Sequence, residues 1–274
     1  MTRDAGDLSL RPGNGRGGSR FLIVQTGSTW PALRARHGDF PAWFVRGLGL
    51  ARGEADIVRA DLGQPLPDPG SHAGVVVTGS PAMVSERNAW SEETAAWLRA
   101  LVGAEVPVLG VCYGHQLLAH ALGGQVDYHP RGREIGTVAI EPLPQAAGDP
   151  LLAGAPARFL AHASHRQSVL ALPAGAVALA RSAHDAHHAV RYAPRAWGLQ
   201  FHPEFSAEVM RGYLQRAASH AQPDCRADCC PEGRAAPAPH ARRLLRRFRS
   251  LALGIGAEAQ AKDCPTKKRS RATD

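Results

Sequence analysis

Short runs of apolar residues recur through the first 111 positions: Phe21 to Gln25, Ala73 to Thr78 and Val106 to Val111. They lack the alternation of a half-exposed strand and predict buried strands, and Ala55 to Arg59 is a further short strand candidate. Helical segments fall between and after them. Asp39 to Leu50 has Asp39 as N-cap and Pro41 in its first turn. Ser91 to Val102 carries Glu92 and Glu93 where the positive end of the helix dipole favours them. His115 to Leu122 stops at Gly123-Gly124. Strands alternating with helices predict a parallel sheet with right-handed crossovers.

Beyond residue 124 the pattern changes. Gln125 to Tyr128, Thr137 to Ile140, Arg158 to His162, Ala176 to Ala180, Ala189 to Tyr192 and Ala196 to Phe201 are short strand candidates separated by turns, with little room for helices. They predict an antiparallel ribbon appended to the parallel core. A helix follows from Ser206 to about Ala218. Ala241 to Leu253 then places Leu244, Leu245, Phe248 and Leu251 on one stripe with arginines opposite. Four strong apolar residues favour a helix docked on its own domain, arginines solvated, over one that binds a membrane or nucleic acid. The expected organisation is a flexible leader (1–20), one α/β domain (21–220), a Cys- and Pro-rich loop (221–240), a basic amphipathic helix (241–256) and a disordered basic tail (257–274).

A chain of 274 residues has room for one substantial domain and its appendages, and 44% hydrophobic residues suffice for a packed core. The net charge of +8 suggests an acidic partner until it is located. Residues 241–274 hold ten Lys and Arg against three acids, and residues 1–20 hold four against two. The body between them is close to neutral, so nucleic acid is not an expected partner. No run approaches the ~20 apolar residues of a membrane span, and Met1 to Arg20 has no apolar signal core. Of five cysteines, four lie beyond residue 220. That distribution does not make a secreted disulfide framework, and a reducing cytoplasm is expected.

Candidate chemistry begins at Val108-Leu-Gly-Val-Cys-Tyr-Gly-His-Gln116, where an apolar strand meets a helix through Gly110-x-Cys112-x-Gly114. A sharp strand-to-helix turn crowds the positions two before and two after its apex, which calls for glycine at both. The helix N-terminus then favours a thiolate at Cys112. Taken alone, the G-x-C-x-G pattern favours a nucleophile but leaves an inert core cysteine as the alternative. The second signal, Trp197-Gly-Leu-Gln-Phe-His-Pro-Glu-Phe205, runs an apolar strand into His202-Pro203-Glu204. A cysteine nucleophile needs a base, and that base needs a carboxylate to fix its tautomer. Pro203 keeps the backbone at His202 out of the helical region.

Together, V-C-Y-G-H-Q and G-L-Q-F-H-P-E resemble the class I glutamine amidotransferase family over roughly residues 21–218. The resemblance implies a flavodoxin-like α/β fold, with helices on both faces of a mostly parallel sheet. It implies a Cys112–His202–Glu204 triad that releases ammonia from L-glutamine through a γ-glutamyl thioester, with no metal and no organic cofactor. It places an oxyanion loop at Thr78-Gly79-Ser80-Pro81, with Gly79 or Ser80 and the amide of Tyr113 as donors; by composition alone that segment is a simple turn. It further assigns Gln116, Ser164 and His165 to substrate binding. Gly132-Arg-Glu-Ile-Gly136 resembles a ribbon of GMP-synthase-like members, although Arg133 and Glu134 would suit a solvent-facing charge pair equally well.

No P-loop pattern and no room for a synthetase domain follow residue 220. The resemblance therefore implies ammonia delivery to a separate synthetase subunit, or independent action on glutamine or another γ-glutamyl peptide or amine. A non-catalytic regulatory module is the remaining alternative. Cys225, Cys229, Cys230 and Cys264 give C-x₃-C-C without a second well-spaced pair, which does not make a zinc site.

Overall fold

The computed structural model describes residues 20–219 and 235–254. The expected leader apart from Arg20, residues 221–234 of the expected Cys- and Pro-rich loop, the last two residues of the expected 241–256 helix and the expected 257–274 tail lie outside those residues. The chain begins with β1 (Phe21–Gln25), α1 (Pro31–His37), α2 (Phe40–Leu48), β2 (Ala55–Arg59), β3 (Gly74–Val77), α3 (Ala89–Gly103), β4 (Val108–Val111) and α4 (Tyr113–Ala121). It continues through β5 (Gln125–Tyr128), β6 (Glu134–Pro142), β7 (Phe159–His165), β8 (Gln167–Ala171), β9 (Val177–Arg181), β10 (Ala189–Ala193) and β11 (Ala196–Leu199), then α5 (Ala207–Ser219) and α6 (Pro239–Ala252).

Among the described residues, nine strands form one sheet in the order β2-β1-β3-β4-β11-β10-β9-β6-β7, while β5 and β8 pair separately. The first five are parallel; β10, β9, β6 and β7 continue the sheet antiparallel. Phe21 and Ile23 point into a core shared with α1, α2, α5 and α6, whereas Leu22 and Val24 point into one shared with α3 and α4. Burial on both faces explains the unbroken apolar runs of these strands. The α/β architecture with an antiparallel extension is the one expected.

Several boundaries differ for local reasons. Helix α1 carries only one buried residue, Leu33, and no capping side chain, so it leaves no amphipathic stripe to detect. Helix α3 starts at Ala89, not Ser91; Ser91 is buried and its hydroxyl lies 2.6 Å from that of Tyr113. Strand β7 runs on to His165, and β8 arises in a segment read only as a motif. Asp39 does cap α2: its Oδ1 accepts from the amides of Phe40 and Thr29 at 2.9 and 3.0 Å.

Helix α6 docks on the domain through Leu244, Leu245 and Phe248, all buried. Phe248 meets Phe21 and Trp197 edge-on at 6.4 and 6.3 Å between ring centroids. Its arginines are not all solvated as expected. Arg247 donates to the carbonyls of Pro150 and Ala153, and Arg249 to that of Gly49 at 2.9 Å, satisfying carbonyls left open by loops and by the end of α2. Phe248→Ala should therefore lower unfolding free energy by about 3–5 kcal/mol in urea titration. A loss below about 1 kcal/mol would mean that α6 is not docked in solution.

Candidate active site

Three neighbouring parallel strands end side by side. Strand β3 leads into Thr78-Gly79-Ser80, β4 into Cys112 and β11 into the segment ending at Glu204. Adjacent strands lie about 4.8 Å apart, so residues distant in sequence are delivered to one rim of the sheet. Cys112 adopts φ 52° and ψ −104°, an unusual conformation for a residue with a side chain, and its amide donates to Leu199 O at 2.8 Å. The flanking glycines are obligatory: a Cβ on Gly110 would sit 2.4 Å from Gly114 O, and one on Gly114 would sit 2.4 Å from Val77 O.

His202 and Glu204 are buried beside the thiol. His202 Nδ1 lies 2.7 Å from Glu204 Oε1, and the imidazole interacts electrostatically with the Cys112 thiol. The ring stacks on Phe205 at 4.0 Å and, more distantly, on Phe40. Its amide donates to His162 O at 2.7 Å, which anchors the turn to β7. Burial opposes charge on His202, yet Glu204 and the thiolate hold its imidazolium up to about 10. On Cys112, burial favours the neutral thiol, but the charge and hydrogen bond of His202, assisted by His165, bring the thiol below its ordinary value. The three groups form a row in which Glu204 favours charge on His202, and His202 in turn favours ionisation of Cys112.

The row opens on a cavity of about 570 Å³. Ser80, Tyr113, Gln116, Ser164 and His165 all line it with Cys112 and His202. Gly79 approaches so closely that a Cβ there would stand 3.0 Å from His202 Cε1 and 3.7 Å from Cys112 Cβ. Tyr113 begins α4, so its amide has no acceptor within the helix. Gln116 is buried and tied down: its Nε2 donates to Gln167 O at 2.6 Å and to Gln200 Oε1 at 2.9 Å. The carbonyl of Ser164 lies 3.8 Å from Cys112 Sγ, and its hydroxyl accepts from Arg133 at 3.3 Å.

His165 borders the cavity, but its ring nitrogens are engaged elsewhere, Nδ1 with Gln167 O at 3.0 Å and Nε2 with Glu134 Oε2 at 2.8 Å. Glu134 is buried, which rules out the solvent-facing charge pair. It also meets His188 Nε2 at 2.7 Å and accepts from Ser182 Oγ at 2.8 Å. Burial would raise its carboxyl; His188 and His165 instead hold it well below the usual range. Donor atoms of Glu134, His165 and His188 lie within 4.8 Å of one another, as a metal would need. At 2.7–2.8 Å, however, the contacts are hydrogen bonds already satisfied by protons.

Sequence reasoning missed Phe40 and Phe205 against the imidazole, and Trp30, Tyr213 and Arg216 at the cavity wall. Trp30 packs edge-on against Tyr213 at 4.8 Å, with Arg216 5.0 Å above its ring. Only the position of Trp30 just after β1 hinted at such a place, since loops at this rim carry ligands.

The chain has relatives among known proteins, in sequence and in fold. The model of the family "Glutamine amidotransferase class-I" matches residues 44–218. The chain belongs to the class I glutamine amidotransferase family. Within it, likeness runs to GMP synthases. A glutamine-hydrolyzing GMP synthase of Thermomicrobium roseum is 43% identical over 149 residues, covering 53% of this chain and 26% of that protein. One subunit of the glutamine-hydrolyzing GMP synthase of Methanopyrus kandleri is 38% identical over 133 residues, covering 48% of this chain and 66% of that relative. The chain thus matches from about a quarter to just under two thirds of these relatives' lengths. The crystal structure of a glutamine amido transferase from Methylobacillus flagellatus superimposes with a TM-score of 0.66 at 25% identity, over 86% of this chain and 94% of that one. Among the described residues, no helix is long and apolar enough to cross a membrane.

Proposed function

We propose that the chain hydrolyses the γ-amide of L-glutamine to glutamate and ammonia. The observation that carries this reading is the convergence of Cys112, His202 and Glu204 at the floor of one cavity. The thiolate of Cys112 attacks the amide carbon, and the oxyanion forms against backbone amides of Gly79 or Ser80 and Tyr113. His202 protonates the departing nitrogen, ammonia leaves, and a γ-glutamyl thioester remains. His202 then takes a proton from water, whose attack on the thioester carbon expels the Cys112 thiolate, releases glutamate and restores the thiolate–imidazolium pair. Glu204 holds the imidazole and balances its charge throughout. Gln116 and Ser164 shape the substrate end of the cavity, with His165 behind them. The row is complete without a metal or an organic cofactor.

The likeness to a protein that forms one subunit of a GMP synthase supports a separate synthetase as acceptor of the ammonia. A thiol nucleophile fits the reducing cytoplasm as its setting. A second reading, a hydrolase of larger γ-glutamyl peptides or amines, is favoured by the cavity itself: about 570 Å³ lies in the range that holds drug-sized ligands. Ammonia release from glutamine, measured with the purified chain alone and with candidate synthetases, tests the first reading. A higher kcat/KM for γ-glutamyl peptides would establish the second, and labelling at Cys112 by a glutamine-analogue electrophile is expected under both. Failure of all three measurements would leave the regulatory module as the better account.

A further inference from the structure

The residue after β1, Thr26, has no part in the chemistry above, yet its side chain reaches the loop after β3. Thr26 is buried, at 1% exposure. Its hydroxyl lies 3.0 Å from Thr78 O and 3.1 Å from Gly79 O, so one O–H spans two consecutive carbonyls. The hydroxyl of Thr78 accepts from the Thr26 amide at 3.1 Å and donates to Gly79 O at 3.0 Å. The Gly114 amide adds a third donor, to Thr78 O at 3.1 Å. Both peptide units that flank Gly79 are thereby held by their oxygens.

A trans peptide is planar, and its C=O and N–H point in opposite directions. Fixing the carbonyls of Thr78 and Gly79 therefore fixes the N–H groups of Gly79 and Ser80, turned away from the two threonine hydroxyls. Gly79 presents its Cα to His202 and Cys112, and Ser80 lines the cavity. The loop after β1 is itself braced. Gln25 Nε2 donates to Gly27 O at 2.9 Å and Ser28 Oγ at 3.0 Å, and Gly27 fits so closely under Ser80 and Pro81 that no Cβ has room.

We propose that Thr26 is a positioning residue which, with Thr78, aims the amides of Gly79 and Ser80 at the oxyanion. The inference rests on the amidohydrolase reading and adds a residue to it. Oxyanion stabilisation acts on the transition state, and a donor held in place before reaction needs no reorganisation when charge develops. Loosening the loop should lower kcat while leaving glutamine binding and the Cys112–His202 pair largely intact.

The test compares Thr26→Val, which keeps the shape and removes the hydroxyl, with Thr26→Ser, which keeps the hydroxyl. Thr26→Val is expected to lose about tenfold in kcat, less than the 10²–10³ of deleting a donor outright, with KM for glutamine within about threefold. Iodoacetamide should alkylate Cys112 in this variant at the unaltered rate, and Thr26→Ser should return kcat to within about threefold. Should Thr26→Val not fold, Thr78→Val removes the other hydroxyl on Gly79 O and should give the same split. Unchanged kcat in both valine variants, a parallel fall in alkylation, or a serine variant as slow as the valine would overturn the proposal. In each of those cases the amidohydrolase reading stands. No turnover of any γ-glutamyl compound by the unaltered chain overturns that reading, and the role of Thr26 with it.

Discussion

Cys112→Ala is expected to lower ammonia release from glutamine by about 10⁴-fold or more, to the level the cavity alone can support. Without a nucleophile no thioester forms, and water would have to attack an amide that the site was not shaped to hydrolyse in one step. Cys112→Ser should fall nearly as far, because a serine hydroxyl is far harder to ionise than a thiol and cannot enter the ion pair with His202. Neither variant should unfold the domain. The Cys112 side chain is small, the turn is held by Gly110, Gly114 and the 2.8 Å bond to Leu199 O, and none of these depends on sulfur. Activity and thermal melting measured on one preparation separate the two effects. Undiminished turnover in Cys112→Ala, with the fold intact, would sink the thiol mechanism.

The parts of this site that were legible in the sequence are those whose geometry is enforced locally. A glycine two residues either side of Cys112 is required because backbone meets backbone there, at Gly114 O and Val77 O, and such contacts leave no other residue type possible. The His202-Pro203-Glu204 triplet was readable for a similar reason, since proline restricts the residue before it and both side chains lie within one turn. Strands β1, β3 and β4 announced themselves through burial on both faces.

What stayed hidden depends on partners remote in the chain. Glu134 looks like a hairpin surface residue until β7 and β10 bring His165 and His188 against it, 31 and 54 positions away. His165 is expected at the substrate from the resemblance of Ser164–Val169 to a family segment; it lines the cavity, but its contact with Glu134 could not be read from that motif. Thr26 and Thr78 are 52 positions apart and meet only because β1 and β3 are adjacent and parallel. Pairing of this kind has no local signature, and neither hydropathy nor a short motif can carry it.

His202→Ala tests the electrostatic claim directly, and the sign of its effect is distinctive. Burial is the largest influence on Cys112 and favours the neutral thiol; only the charge and hydrogen bond of His202, with help from His165, reverse it. In the unaltered chain, the pH midpoint of Cys112 alkylation should therefore lie below the ordinary thiol value of about 8.5. Removing the imidazole leaves burial unopposed except for the more distant His165, so the midpoint should move above that value. Ammonia release should fall by about 10²–10⁴-fold, since no group remains to protonate the leaving nitrogen. Turnover in the unaltered chain needs thiolate and imidazolium together. Its acid limb should follow the depressed Cys112 value, and its alkaline limb should appear only near 10, where Glu204 and the thiolate hold His202. A midpoint that stays low in His202→Ala would show that the thiolate draws its stability from the α4 N-terminus or from His165 instead, and His202 would then keep only its role as proton carrier.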